Sequence, residues 1–199
     1  MKKLVPLFLL LSITGFSQHF TGEKKAAKDA VVAFLKWYKT GNKGFDQYKL
    51  YMSAKAKTDG PPYKINWKTV EKHFAWIKAK APLFAAAFIV NEKQFFEYCD
   101  LEYKKNPEDE IPSGFDYERV MGSQEDVAYV INDIWLKKGI VWKVTLRNTG
   151  EAEVSIAEKG APDDEDAKEH FLMVKENGKW RVALPPGLFG VPPFTTATN

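Results

Sequence analysis

Residues 170–184 read HFLMVKENGKWRVAL, and this stretch decides the fold class. Asn177-Gly178 is a strong two-residue hairpin signal, because both residues tolerate the positive φ of a tight turn. Phe171 to Glu176 and Lys179 to Leu184 flank it with strand-forming residues. Working backwards, an acidic loop, APDDEDAKEH, precedes this hairpin. Before it lie Glu151 to Ala157, the turn Asn148-Thr149-Gly150, and Ile140 to Leu146. In the last of these, alternation places Trp142, Val144 and Leu146 on one face. Val127 to Leu136 is rich in β-branched and aromatic residues and reads as one more strand, closed by Lys137-Lys138-Gly139.

The first half has a different period. Ala27, Ala30, Val31, Phe34, Leu35 and Tyr38 recur at intervals of three and four, which makes one helix face. Gly41 and Gly44 are expected to end that helix. A looser stretch, FDQYKLYMSAKAKTDGPPYKI, closes on Gly60, Pro61 and Pro62. The next helix carries Trp67, Val70, Phe74, Ile77 and Ala81, then meets Pro82. A third is expected from Asn91, with Gln94 three residues on as a capping-box partner. Phe95, Phe96, Cys99 and Tyr103 form its buried side, and Asn106-Pro107 stops it. Helices followed by hairpins predict an α+β domain, with N-terminal helices packed on an antiparallel sheet. If that sheet is strongly curved, its concave face and the first helix enclose a cone-like cavity.

The start, MKKLVPLFLLLSITGFSQ, pairs Lys2 and Lys3 with a ten-residue apolar run and small residues at Gly15 and Ser17. That pattern is a cleavable secretory signal over residues 1–17, too short to span a membrane. The expected organisation is a leader, one domain over 18–186, and a proline-rich tail over 187–199. The expected location is periplasmic or secreted, with no stable membrane anchor after cleavage. The 199 residues are 45% apolar, enough for one packed domain. One cysteine excludes an internal disulfide framework and a cysteine-built zinc site.

Without the leader, 27 basic residues face 26 acidic ones, so net charge gives no reason to expect a nucleic-acid partner. Arginine, the residue favoured for bidentate phosphate and base contacts, occurs only as Arg119, Arg147 and Arg181. The charge is uneven: residues 18–105 carry 17 lysines and 9 acids, residues 106–199 carry 10 basic and 17 acidic residues.

Three stretches together carry a resemblance: AVVAFLKWY near the mature start, FDYERVMGSQED at 115–126, and ENGKWRVALPP after the hairpins. With this order of elements, the chain resembles secreted members of the nuclear transport factor 2-like (cystatin-like) α+β cone superfamily. Within it, the chain is similar to an uncharacterised family of bacterial periplasmic domains, in which an acidic segment ends in a glutamine-acid pair. Asp116, Gln124 and Glu125 stand in the corresponding places, while Glu118 is followed by Arg119 and not by proline. The resemblance implies a curved sheet, and a superfamily that hosts enzymes and binding domains alike.

Chemistry-bearing motifs are sparse. There is no phosphate-binding glycine loop and no nucleophile elbow around Ser53, Ser113, Ser123 or Ser155. His19, His73 and His170 show no ligand spacing, and His73 beside an apolar stripe reads as a hydrogen-bonded imidazole. Asp163 to Asp166 lacks the spacing of a calcium loop and reads as a solvated turn. Cys99 reads as a small buried hydrophobe. No metal and no cofactor is expected.

The residue types for proton transfer inside a cone are Asp116, Tyr117, Tyr129 and Asp133. Asp116 and Gln124 fit a structural clasp better than a ligand site, Asp116 accepting backbone N–H bonds and Gln124 satisfying carbonyls. Candidate ligand contacts are therefore Asp116, Tyr117, Gln124, Asp133 and Trp142. The expected partner is a small apolar or amphipathic ligand, or a protein. The leading expectation is a non-catalytic binding module, ahead of an immunity- or inhibitor-type interaction factor and of an isomerase- or hydratase-like enzyme.

Overall fold

The computed structural model describes residues 22–109, 114–161 and 168–188. The leader, most of the acidic loop and residues 189–199 of the tail lie outside the described residues. Helix α1 spans Gly22–Gly41, followed by the single turn α2 at Lys43–Asp46. A short hairpin, β1 (Tyr51–Ser53) and β2 (Tyr63–Ile65), leads into α3 (Trp67–Lys80) and α4 (Ala86–Lys105). A helical turn α5 (Val127–Tyr129) continues as a π-helix over Val130–Trp135. Strands β3 (Ile140–Leu146), β4 (Glu151–Glu158), β5 (Glu169–Glu176) and β6 (Lys179–Leu184) follow, then a 3-10 turn at Pro186–Leu188.

The α+β class holds, with a four-strand antiparallel meander in the order β3-β4-β5-β6. Alternation decides its faces. The register pairs Trp142 with Ile156, Val144 with Val154, Val154 with Phe171, and Met173 with Val182. All of these are buried. Against that face lies the stripe of α1, namely Ala27, Val31, Phe34, Leu35 and Tyr38. Phe34 meets Phe171 edge-on, with ring centres 6.1 Å apart. The first turn of α1 is tied to the sheet by Glu23, which accepts from Lys175 at 2.7 Å and from Trp180 Nε1 at 2.9 Å. These side chains form the core between α1 and the sheet.

Several expectations need correction. Val127 to Leu136 is not a strand. Asp126 Oδ1 accepts the Tyr129 backbone N–H at 3.0 Å, which starts a helical turn. Val127, Val130, Ile131 and Trp135 then turn inward, and Trp135 meets Phe171 at 5.8 Å. β-Branched content pointed to a strand, but the spacing of these apolar residues is helical. Helix α4 starts at Ala86, five residues before Asn91. Asn91 is internal, and its side-chain amide donates to the Ala183 carbonyl at 2.8 Å. The first turn of α4 is capped instead by Glu176, which accepts from Ala86 N at 2.8 Å. Gly44 lies inside α2 and does not end a helix. Leu146, at the end of edge strand β3, is 39% exposed. The beginning of the tail is structural: Pro186, Gly187 and Leu188 are buried.

Candidate functional site

The site grows from three buried positions on helices. On α3, His73 falls between Val70 and Ile77 in the stripe that faces inward. On α4, Glu92 continues the buried stripe of Phe88, Phe95, Phe96, Cys99 and Tyr103. On α1, Tyr38 ends the buried stripe. Burying a titratable group costs free energy unless it is paired, and each of these finds a partner.

His73 Nε2 lies 2.9 Å from Glu92 Oε2, and both side chains are inaccessible to solvent. Arg119 Nη2 donates to the other oxygen, Oε1, at 3.2 Å. Burial pushes the Glu92 carboxyl upward, but Arg119 and the His73 hydrogen bond outweigh it, so it stays below its ordinary range. Glu92 is therefore an acceptor on both oxygens, and His73 Nε2 is the donor. The Arg119 guanidinium also lies 5.2 Å from the ring centres of Phe96 and of Phe115.

The neighbouring residue completes the network. Tyr38 donates its hydroxyl to Glu118 Oε1 at 2.7 Å. Glu118 also accepts from Val120 N at 3.1 Å and Met121 N at 2.7 Å. Its backbone closes the same loop, with Glu118 N bonded to the Ser123 carbonyl and Gly122 N to the Glu118 carbonyl. Burial raises the Glu118 carboxyl above its ordinary range despite these donors. Burial, then the Glu118 charge, raises the Tyr38 hydroxyl well above the usual phenol value. The loop is wedged against the 3-10 turn at Pro186–Leu188: a Cβ at Gly187 would lie 1.9 Å from the Arg119 carbonyl oxygen.

A cleft of about 500 Å³ opens beside this network. One wall is the 45–51 segment, with Phe45, Tyr48 and Tyr51; the other is Phe115 to Arg119 without Asp116. Tyr51 and Phe115, both in its lining, pack against each other with ring centres 5.0 Å apart. Behind it, His73 is packed edge-on by Phe45 at 5.2 Å and Tyr48 at 5.5 Å. A second cleft of about 500 Å³ lies between Glu23, Leu146, Thr149, Lys175 and Trp180. There Glu23 is already bonded to both Lys175 and Trp180. Aromatic side chains beside convergent polar groups, among them Tyr117, Glu118 and Arg119 with shifted titration, single out the first cleft as the candidate site.

Of the five residues read from the sequence, Tyr117 lines this cleft, half-buried; burial, then the Asp116 charge, raises its hydroxyl above the ordinary value. Gln124 is exposed and donates to the Asp116 carbonyl at 3.3 Å, as a clasp would. Asp116 itself is exposed, and the carboxylate that gathers backbone N–H groups is Glu118. Asp133 is exposed on the outer side of the π-helix, away from any strand. Trp142 is core, 7% exposed, beneath the ammonium of Lys28 at 5.3 Å. Sequence reasoning missed Glu92, Glu118 and Arg119 as a set. Two signals were present: Glu92 keeps helical register with the apolar stripe, and Arg119 is one of three arginines. Among the described residues no three His, Cys, Asp or Glu side chains gather as a metal centre. No protein-family model, curated protein or solved structure matches this chain.

Proposed function

We propose that the protein is a non-catalytic binding module, and that the cleft between residues 45–51 and 115–119 receives a small amphipathic ligand. The observation that carries this reading is the cleft's construction, with aromatic walls and an anchored polar floor. Glu118 and Arg119, which line the cleft, are both held from within the protein, Glu118 by Tyr38 and two backbone N–H groups and Arg119 by the buried Glu92. Such a floor suits recognition by shape and stacking, with polar edges to orient the ligand. This site lies between the 45–51 and 115–119 segments, and not between α1 and the sheet.

The reading includes secretion, on the strength of the leader MKKLVPLFLLLSITGFS, and kinship with the nuclear transport factor 2-like superfamily, supported by the helices-then-sheet order. N-terminal sequencing of the exported chain tests the first. A mature start at Gln18 is the expected result.

The binding reading is tested with 8-anilinonaphthalene-1-sulfonate, an amphipathic aromatic probe. Saturable 1:1 fluorescence enhancement by the folded protein is expected, weakened at least tenfold by Tyr51→Ala with Phe115→Ala. Leu146→Asp, in the second cleft, should leave it unchanged. Absence of saturable binding, or loss only in the Leu146 variant, overturns the assignment.

A further inference from the structure

A separate surface lies where α1, α2 and α3 meet. Trp76 of α3 is half-buried, lies 5.3 Å edge-on from Phe45, and rests on Gly44 so closely that a Cβ there would be 1.8 Å from its ring. Trp37 of α1 rests on Gly41 in the same way, with a Cβ 3.0 Å from its ring, and meets Phe84 at 6.2 Å. Phe45 and Phe84 are themselves 5.5 Å apart, so one aromatic base supports both indoles. Only Asn42 and Lys43 separate the two glycines, and the two tryptophans flank that junction.

The charges around this pair have one dominant sign. Lys72 and Lys80 stand four residues before and after Trp76, one helical turn away on each side. Lys43 adjoins Gly44 on the same junction. All three are exposed, and among the described residues none of them enters an ion pair. Lys68 and Lys78 add to the exposed side of α3, where Glu71 is the one acid. The nearest acid of α2, Asp46, faces the cleft described above.

We infer that this face docks on an anionic lipid surface. Half-buried tryptophans with flanking lysines suit the headgroup region, where indole rings settle and ammonium groups reach anionic phosphates. The composition disfavours a protein partner, since protein interfaces are depleted in lysine and take arginine instead. The attachment is peripheral: no described helix is long and apolar enough to cross a membrane.

The test is co-sedimentation of the full chain with vesicles of phosphatidylglycerol mixed into phosphatidylcholine, against phosphatidylcholine alone. The expected result is binding only with the anionic lipid, weakened by 0.5 M salt as screening requires. A Lys72→Glu/Lys80→Glu variant should bind at least tenfold more weakly, with an unchanged circular dichroism spectrum. Lys159→Glu, on a distant turn, should bind as the parent does. Absent binding, equal binding to neutral vesicles, or binding insensitive to the double variant overturns the proposal. Retention on immobilised polyaspartate without vesicle binding also overturns it, and marks an acidic polypeptide as the partner.

Discussion

Tyr38 of α1 donates its hydroxyl to Glu118 across 80 residues of sequence, at 2.7 Å. That bond joins the helical layer to the loop that presents Arg119, and through Arg119 to Glu92 and His73. The contact ties the helix that covers the sheet to the loop that lines the cleft.

Tyr38→Phe removes one donor from a buried carboxylate. Glu118 keeps its two backbone donors, so the fold survives at a cost of about 2 kcal/mol, typical of a hydrogen bond to a charged group. Urea denaturation checks this; an unchanged midpoint would show that the bond contributes nothing.

Arg119→Met leaves Glu92 buried with only His73 to balance it. Breaking a buried ion pair from one side typically costs about 3–5 kcal/mol. In that background Glu92→Gln should cost much less than in the parent, because the unbalanced charge is then gone. A double-mutant cycle measures the coupling, and simple additivity would sink the idea of a shared network.

Acid stability should carry a component from Glu153. The His170 hydrogen bond and the Arg147 contact hold its carboxyl at about 2, against an ordinary 4.5, even though burial opposes them. In the unfolded chain the group takes up a proton near its ordinary value, while in the folded protein it stays charged. Its contribution is thus present above pH 4.5 and lost as pH falls towards 2. Glu118, raised by burial, works with the opposite sign: it favours folding when protonated and loses that contribution as pH rises through its folded value. Unfolding midpoints of Glu153→Gln between pH 2 and 5 should show a shallower acid slope than the parent.

Cys99 should be unreactive while the protein is folded. Burial among α4 aromatics pushes its thiol up to about 12, so almost no thiolate forms at pH 8. A thiol-exchange reagent should label it only in urea, at the rate of unfolding. Rapid labelling of the native protein would contradict this burial.

Gly187→Ala should destabilise by about 1–3 kcal/mol or more, since the added carbon meets backbone that cannot rotate aside. A thermal melt gives the answer, and a neutral result would mean that the Pro186–Leu188 turn is not wedged against the 118–122 loop.

Legibility in the sequence followed the strength of the local signal. The Asn177-Gly178 hairpin and the α1 stripe were plain because period and turn chemistry agree there. Val127 to Leu136 carries two conflicting signals: its β-branched residues argue strand, while their spacing, with Asp126 in front, argues the helix that forms. The candidate site was mostly hidden. His73, Glu92 and Arg119 come from three separated segments, and nothing short of the fold reveals that one carboxylate serves the other two. In the 115–126 segment Asp116 and Gln124 carry the family-like pattern but are exposed, while Glu118 and Arg119 beside them make the buried hydrogen bonds.

The sheet is a meander of sequence neighbours, so each of its hairpins closes locally, on the microsecond scale. Its cover does not. Glu23 and Trp180 are 157 residues apart, and α1 is synthesised long before the strands it shields. During translation the stripe from Ala27 to Tyr38 is made before any strand it covers, with Phe45 and Phe84 the earlier partners it meets, so its sheet-facing side must be held compatible with a sheet that emerges more than 100 residues later.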